Sequence, residues 1–195
     1  DDVFLVEDSQ NFKLSTSQQW EAGFKSRFLD GKAEMALAVY HIERQNTVVK
    51  DSTADANVLN NVGTQRSTGF ELEGSILLTP KLRIGANTAY TDAEFGVFAD
   101  NSGNTPSNVP EWVANAWANY SGVAGLPLDV GGSFRYVGER FNDKTNVVKM
   151  LGYETVGLHA TYRMGKGRFT ARLTNLFDKA YALWGDEFYK NQLIL

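Results

Sequence analysis

Apolar and polar residues alternate with a period of two along most of this chain, and that period belongs to β-strands. In residues 19–28, QWEAGFKSRF, Trp20, Ala22, Phe24 and Phe28 share one face, while Glu21, Lys25 and Arg27 share the other. A helix would scatter these residues around its circumference. The pattern returns from Ala33 to about Val49 with less clean faces: Met35, Leu37 and Val39 oppose Ala36, Ala38, Tyr40 and Ile42. In 65–79, Phe70, Leu72, Ile76 and Leu78 oppose Glu71, Glu73 and Ser75. From Leu82, Ile84, Ala86, Thr88 and Tyr90 oppose Arg83, Asn87 and Thr91. From Trp112, Ala114, Ala116, Ala118 and Tyr120 alternate with Val113, Asn115, Trp117 and Asn119. Val130, Phe134 and Tyr136 oppose Asp129, Ser133, Arg135 and Glu139. Val156, Leu158, Ala160, Tyr162 and Met164 oppose Thr155, His159, Thr161 and Arg163; Phe169, Ala171 and Leu173 oppose Arg168, Thr170 and Arg172. Eight strands are expected, with the opening of a ninth at 188–195.

The connections alternate as well. Short turns are expected at 29–32, 79–81, 121–127 and 165–167, and long polar loops at about 50–64, 96–110, 141–152 and 178–187. An antiparallel meander with one trimmed rim and one elaborated rim has this form, and membrane β-barrels put their short turns in the periplasm and their long loops outside.

Which medium meets the apolar face is decided by the polar one. It carries Glu21, Lys25, Arg27, Glu71, Glu73, Arg83, Arg135, Glu139, Arg163 and Arg172, charges of both signs that suit a wet lumen. Aromatics gather toward strand ends, at Trp20, Phe28, Tyr90, Trp112, Tyr120, Tyr136, Tyr153 and Tyr162, as interfacial girdles do. The expected fold class is therefore all-β, an antiparallel up-and-down meander. The competing arrangement is a soluble sheet packed on itself with one solvated face.

Composition removes other classes. The 195 residues carry 19 Lys+Arg against 23 Asp+Glu, a formal charge of −4, which argues against a nucleic-acid partner. Zero cysteines exclude disulfides and thiolate chemistry. The longest apolar run, Met35 to Tyr40, is far short of the ~20 residues of a membrane helix. No basic-plus-apolar signal segment opens the chain, which begins on Asp1, as a mature protein or a fragment would.

Five stretches, in order, resemble the TonB-dependent outer-membrane receptors, siderophore-receptor branch. They are NVGTQRSTGFELEG at 61–74, AYTDA at 89–93, NVPEW at 108–112, FRYVGER at 134–140 and LTNLFDKAY at 173–181. The resemblance implies part of a 22-stranded transmembrane β-barrel, with residues 1–195 as the C-terminal portion of the barrel domain and the plug domain and final strand absent. It implies an outer-membrane location, a lipid bilayer around the apolar face, a ferric siderophore as cargo, and coupling to the TonB complex through the missing plug and N-terminal segment. An isolated piece would leave two strand edges open and is expected not to function alone.

No enzyme signature is present: no G-x-S-x-G elbow, no G-x-x-x-x-G-K-[ST], no H-E-x-x-H. Gly131-Gly132 lies within a strand, where a bend or close packing accounts for it better than phosphate binding. Asn119-Tyr120-Ser121 fits a glycosylation pattern that a bacterial protein makes moot. Glu71 and Glu73 read as lumen carboxylates balanced by arginines, and not as a catalytic pair. His159 is expected to line the lumen, and His41 fits either face. No cofactor and no protein metal site is expected, because a siderophore itself supplies oxygens to iron. Family ligand contacts come partly from external loops and upper lumen, so the position-based candidates are Phe95, Phe98, Tyr181, Trp184 and Tyr189. Interface belt or loop packing is the competing role for these rings. The rival functions are a passive porin-like or adhesin barrel and a soluble carbohydrate-binding β-domain.

Overall fold

The computed structural model describes residues 13–50, 59–61, 63–98 and 101–185. The strands are β1 (Thr16–Phe28), β2 (Ala33–Gln45), β3 (Val48–Lys50), β4 (Leu59–Asn61), β5 (Thr64–Thr79), β6 (Leu82–Phe95), β7 (Trp112–Tyr120), β8 (Leu128–Val137), β9 (Arg140–Phe141), β10 (Lys149–Met150), β11 (Tyr153–Met164) and β12 (Gly167–Leu173). Eight of them form one antiparallel sheet in the order β1-β2-β5-β6-β7-β8-β11-β12, each strand beside its successor. The ribbons β3-β4 and β9-β10 are small two-stranded sheets inside the long connections on one rim. The expected meander, the short turns and the long connections after β2, β6 and β8 are present, and the expected loop at 178–187 runs past the described residues. The expected second strand does not run unbroken to Val49: it stops at Gln45, where Asn46 takes a left-handed conformation (φ 56°), and pairing resumes in β3. The expected ninth strand, 188–195, lies outside the described residues.

Register sorts the side chains. Residues opposite each other in an antiparallel pair share a face. One row on the apolar face runs Phe24, Leu37, Leu72, Thr88, Ala114, Tyr136. The next runs Ser26, Met35, Gly74, Ala86, Ala116, Phe134, Val156. The ambiguous β2 is settled by its neighbours, since Leu37 pairs with Phe24 and Leu72. Among the described residues no second layer covers this face. On interior strands Leu72 remains 38% exposed, Phe134 41% and Leu158 47%, values a packed sandwich core does not allow.

The apolar band has ends. Phe70, Tyr90 and Trp112 form a ring cluster, with centroids 5.0–5.9 Å apart, toward the long-loop rim. Beyond them the same face turns polar: His41 Nδ1 lies 2.8 Å from Thr68 Oγ1, and Arg66 pairs with Glu94 at 2.9 Å. Leu82 to Tyr90 on β6 is about the length that a tilted strand uses to cross hydrocarbon. Phe28, Tyr120 and Tyr162 mark the short-turn end of the same face. Tyr153 departs from the expected girdle. Its register partner is Val137 on the polar face, and it is buried beneath a loop. His41 falls on the apolar side's polar margin opposite Trp20, and His159 on the polar face.

The polar face is a cross-strand network. Arg27 approaches Glu34 (3.6 Å), Ser75 Oγ donates to Glu34 (3.2 Å), and Arg83 donates to Ser75 (3.1 Å). Asn115 donates to Asn87 (2.8 Å), and Arg163 pairs with Asp129. Large rings on this side lie flat against glycines of the adjoining strand. A Cβ on Gly85 would sit 2.5 Å from the Trp117 ring, and one on Gly131 would collide with His159 and Asn119.

The assignment of the apolar face to hydrocarbon has a direct test. In the intact barrel, Phe134→Arg is expected to cost about 2–4 kcal/mol, whereas Thr155→Arg on the opposite face costs far less. Equilibrium unfolding from lipid vesicles reads the difference.

Candidate functional site

The long connections meet at one rim and bond to one another. Three participate: 96–111 after β6, 138–152 after β8, and 174–185 after β12. Asn146 and Asn108 are the principal ties. Asn146 Oδ1 accepts from the Thr105 N–H (2.7 Å) while its Nδ2 donates to the Thr105 carbonyl (2.8 Å). Asn108 treats Gly185 the same way, accepting from its N–H (2.9 Å) and donating to its carbonyl (2.8 Å). Each side-chain amide thereby acts as a strand partner for a foreign backbone. Both residues hold left-handed φ values, 57° and 63°, which Asn tolerates better than most residues. Asn104 Nδ2 adds a bond to the Lys144 carbonyl (3.0 Å), and the Asn108 N–H donates to the Phe141 carbonyl (2.7 Å).

Arg140 joins the second loop to the third. It is 4% exposed, donates from Nη2 to the carbonyls of Ala182 and Leu183, and lies 5.6 Å from the Tyr153 ring centre. Tyr153 in turn stacks on Tyr181 at 4.1 Å. Arg140 Nη1 and Asn142 Oδ1 are buried without a hydrogen-bond partner.

Asp143 organises the second loop internally. Its carboxylate accepts from the Thr145 hydroxyl and from the N–H groups of Thr145 (2.8 Å), Val147 (3.4 Å) and Val148 (3.2 Å). Burial opposes ionisation, but the Thr145 hydroxyl and these three backbone donors outweigh it and hold the carboxyl below its ordinary value.

The expected ligand residues are distributed through this assembly. Phe95 and Phe98 stack at 4.3 Å, and Phe98, 5% exposed, packs inside the first loop. Phe95 lies on the polar-face side of β6, opposite Gln65. Tyr181 is half-buried against Tyr153, and Trp184 is 47% exposed beside the Gly185 tie. Tyr189 lies outside the described residues. Residue choice by aromaticity passed over Asn104, Asn108, Asn146, Asp143 and Arg140, which build the platform. Two of them stood in quoted motifs (Asn108 in NVPEW, Arg140 in FRYVGER), but only tertiary contacts show what they hold. Among the described residues no three of His, Cys, Asp and Glu come together as metal ligands. The rim offers a stiff surface of rings, carbonyls and amides set above the upper polar wall, where Tyr40 Oη meets Thr91 Oγ1 at 2.8 Å.

Residues 3–176 match the family model described as TonB dependent receptor-like, beta-barrel. The chain belongs to the TonB-dependent receptor family. It is 29% identical over 183 residues to the ferrichrome outer membrane transporter/phage receptor of Escherichia coli, covering 89% of this chain and 24% of that protein. To the metal-pseudopaline receptor CntO of Pseudomonas aeruginosa it is 33% identical over 177 residues, covering 87% and 25%. The solved siderophore receptor PiuA of Acinetobacter baumannii superposes with a TM-score of 0.73 at 28% identity, covering 87% and 25%. The chain thus spans about a quarter of the length of these relatives. It is an outer-membrane β-barrel segment. That replaces the soluble carbohydrate-binding alternative. The relatives are named as receptors and transporters, not enzymes.

The Asp143 cap sets a pH dependence. A carboxyl ionising lower in the folded loop than in the unfolded chain contributes fully above the ordinary carboxylate range. That contribution is lost as pH falls through the depressed folded value. Asp143→Asn is expected to remove about 2 kcal/mol of local protection at neutral pH. Hydrogen exchange at the Thr145 and Val148 amides of the intact receptor measures it, and the variant is expected to show little further loss on acidification.

Proposed function

We propose that this chain is the C-terminal portion of the barrel of an outer-membrane receptor that binds a ferric siderophore and imports it with energy from the TonB complex. The observation that carries the reading is the three-loop platform over the polar upper wall. A passive pore gains nothing from tying its external loops together, whereas a receptor for a scarce chelate gains a preformed binding surface. Trp184, exposed on the third loop, and Phe95, at the top of the polar wall, are the described rings available to a chelate. Phe98 stacks on Phe95, and Tyr181 stacks on Tyr153. The iron travels inside its chelator, so the protein needs shape and hydrogen bonds in place of metal ligands.

The remaining parts are proposals of the same reading. Among the described residues the outer edges of β1 and β12 have no strand partner, and unpaired backbone groups in hydrocarbon cost several kcal/mol each. Further strands, to a total of 22, would close the cylinder. A plug inside it would take the pull of the TonB complex from the periplasm. The charges at Glu71, Glu73, Arg83 and Arg135 would face that plug.

Growth of an iron-starved deletion strain, restored with the whole gene and fed single ferric siderophores, tests the reading. Growth on one chelate class is expected to require both the gene and a working TonB complex. Trp184→Ala is expected to weaken chelate binding about tenfold with normal surface expression. Uptake that persists without TonB, or growth that is indifferent to the gene on every chelate, overturns the proposal.

A further inference from the structure

The third loop does not rise clear of the rim. It leaves β12 through a turn in which Asn175 Oδ1 accepts from the Lys179 N–H (3.0 Å) and Asn175 Nδ2 donates to the Lys179 carbonyl (3.0 Å). It then crosses back over its neighbours. Lys179 Nζ reaches Glu154 on β11 at 3.3 Å, and Tyr181 stacks on Tyr153. The carbonyls of Ala182 and Leu183 meet Arg140 after β8, and Gly185 joins Asn108 ahead of β7. Burial shows the side on which it lies. Val137 and Tyr153, register partners on the polar face, are each 6% exposed. One row further from the rim on the same face, Arg135 is exposed and its partner Thr155 is half-buried. With the polar face read as the lumen wall, residues 179–185 are a strap folded inside the mouth.

Arg140 puts a bend in this strap. In an extended, pleated chain successive carbonyls point to opposite sides. Here the successive carbonyls of Ala182 and Leu183 both accept from Nη2 of one guanidinium, the second at 3.1 Å, and the chain bends at Leu183. Carbonyl oxygens gathered on one side repel each other, and a cation shared between them offsets that repulsion. The other end of the strap is fixed by shape. Gly185 is buried, and a Cβ there would lie 2.5 Å from Asn142 Cβ and 2.8 Å from Met150 Sδ. Trp184 stands between these two fixed points and is 47% exposed. Both points hold the backbone, which leaves the exposed indole for a ligand.

We propose that Arg140 is a positioning residue for cargo binding: through the carbonyls of Ala182 and Leu183 it sets the bend that presents Trp184 inside the mouth. Such a role rests on the reading of this rim as a chelate-binding surface. A tie that only stabilised the loops would act alike whatever stood at position 184. A tie that aims the indole loses its effect on binding once the indole is gone. A single nitrogen, Nη2, serves both carbonyls, so an ammonium at the same place, with three donors, can replace it.

The test is a double-mutant cycle on the intact receptor, with affinities measured for ferrichrome and for ferrioxamine B. Arg140→Gln is expected to weaken chelate binding about tenfold, but no more than about twofold further when Trp184 is already alanine. Arg140→Lys is expected to restore binding to within about threefold of wild type. Gly185→Ala unseats the strap without touching Arg140 and is expected to match the loss in Arg140→Gln. Heat-modifiable gel migration shows that each variant is folded, and Gly185→Ala carries the same cycle should Arg140→Gln not fold. Additive losses, about a hundredfold in the double variant, overturn the proposal. A second readout needs no chelate. This chain has no cysteine of its own, so a nitroxide on Leu183→Cys reports the strap alone. Its spectrum is expected to be immobilised in wild type and in Arg140→Lys, and mobile in Arg140→Gln. If wild type binds neither chelate, the reading of the rim fails for both cargoes and the label alone decides on Arg140. Unchanged label mobility in Arg140→Gln overturns the proposal in either case.

Discussion

Backbone hydrogen bonding in hydrocarbon is the constraint from which the rest follows. A peptide group that finds no partner in a bilayer cannot turn to water, so each strand must lie fully paired beside its neighbours. The eight-stranded sheet meets this along its interior with long, nearly uninterrupted registers. Once register is set, side-chain facing is no longer free. The same pairing that satisfies the peptide groups sends Leu37, Leu72 and Phe134 to the apolar face and Lys25, Glu73 and Arg135 to the polar one. Slippage by one residue would exchange these sets, which would be costly on both sides at once.

The two surfaces then obey different rules. The lipid face needs only apolar volume and tolerates gaps, since acyl chains fill them. The lumen face carries formal charges and large rings, and it places small residues where strands must come close. Trp117 against Gly85 and His159 against Gly131 are fitted joints, in which bulk on one strand takes the space surrendered by another. Hydrogen-bonded pairs such as Asn87 with Asn115 reinforce them. The lumen wall is consequently the more closely specified side, although it is the wetter one.

Strand number, turn positions and most facings were legible in the residues because period two is a local property. Where alternation was weak, as in β2, the answer lay in neighbouring strands and not in the strand itself. Tyr153 looked like a girdle ring because it begins a strand. Counting parity from Thr155 and Val156 would have placed it on the lumen side, and its burial depends on Tyr181 in a different loop. The rim was the least legible part. Asn108 and Gly185 are 77 positions apart, and no pattern of composition or spacing joins them. Motif resemblance marked the neighbourhoods of Asn108 and Arg140 without revealing that one ties two loops and the other clamps two carbonyls.

The paired amide ties at Asn108 and Asn146 have a mechanical consequence. Loops that are linked only through the sheet would yield one at a time under load. Here a push on any of the three is transmitted to the other two through rings of two hydrogen bonds, each of which resists both sliding and twisting. A particle or molecule arriving from outside therefore meets a single stiff body, and altering its contour in one place strains the contour elsewhere.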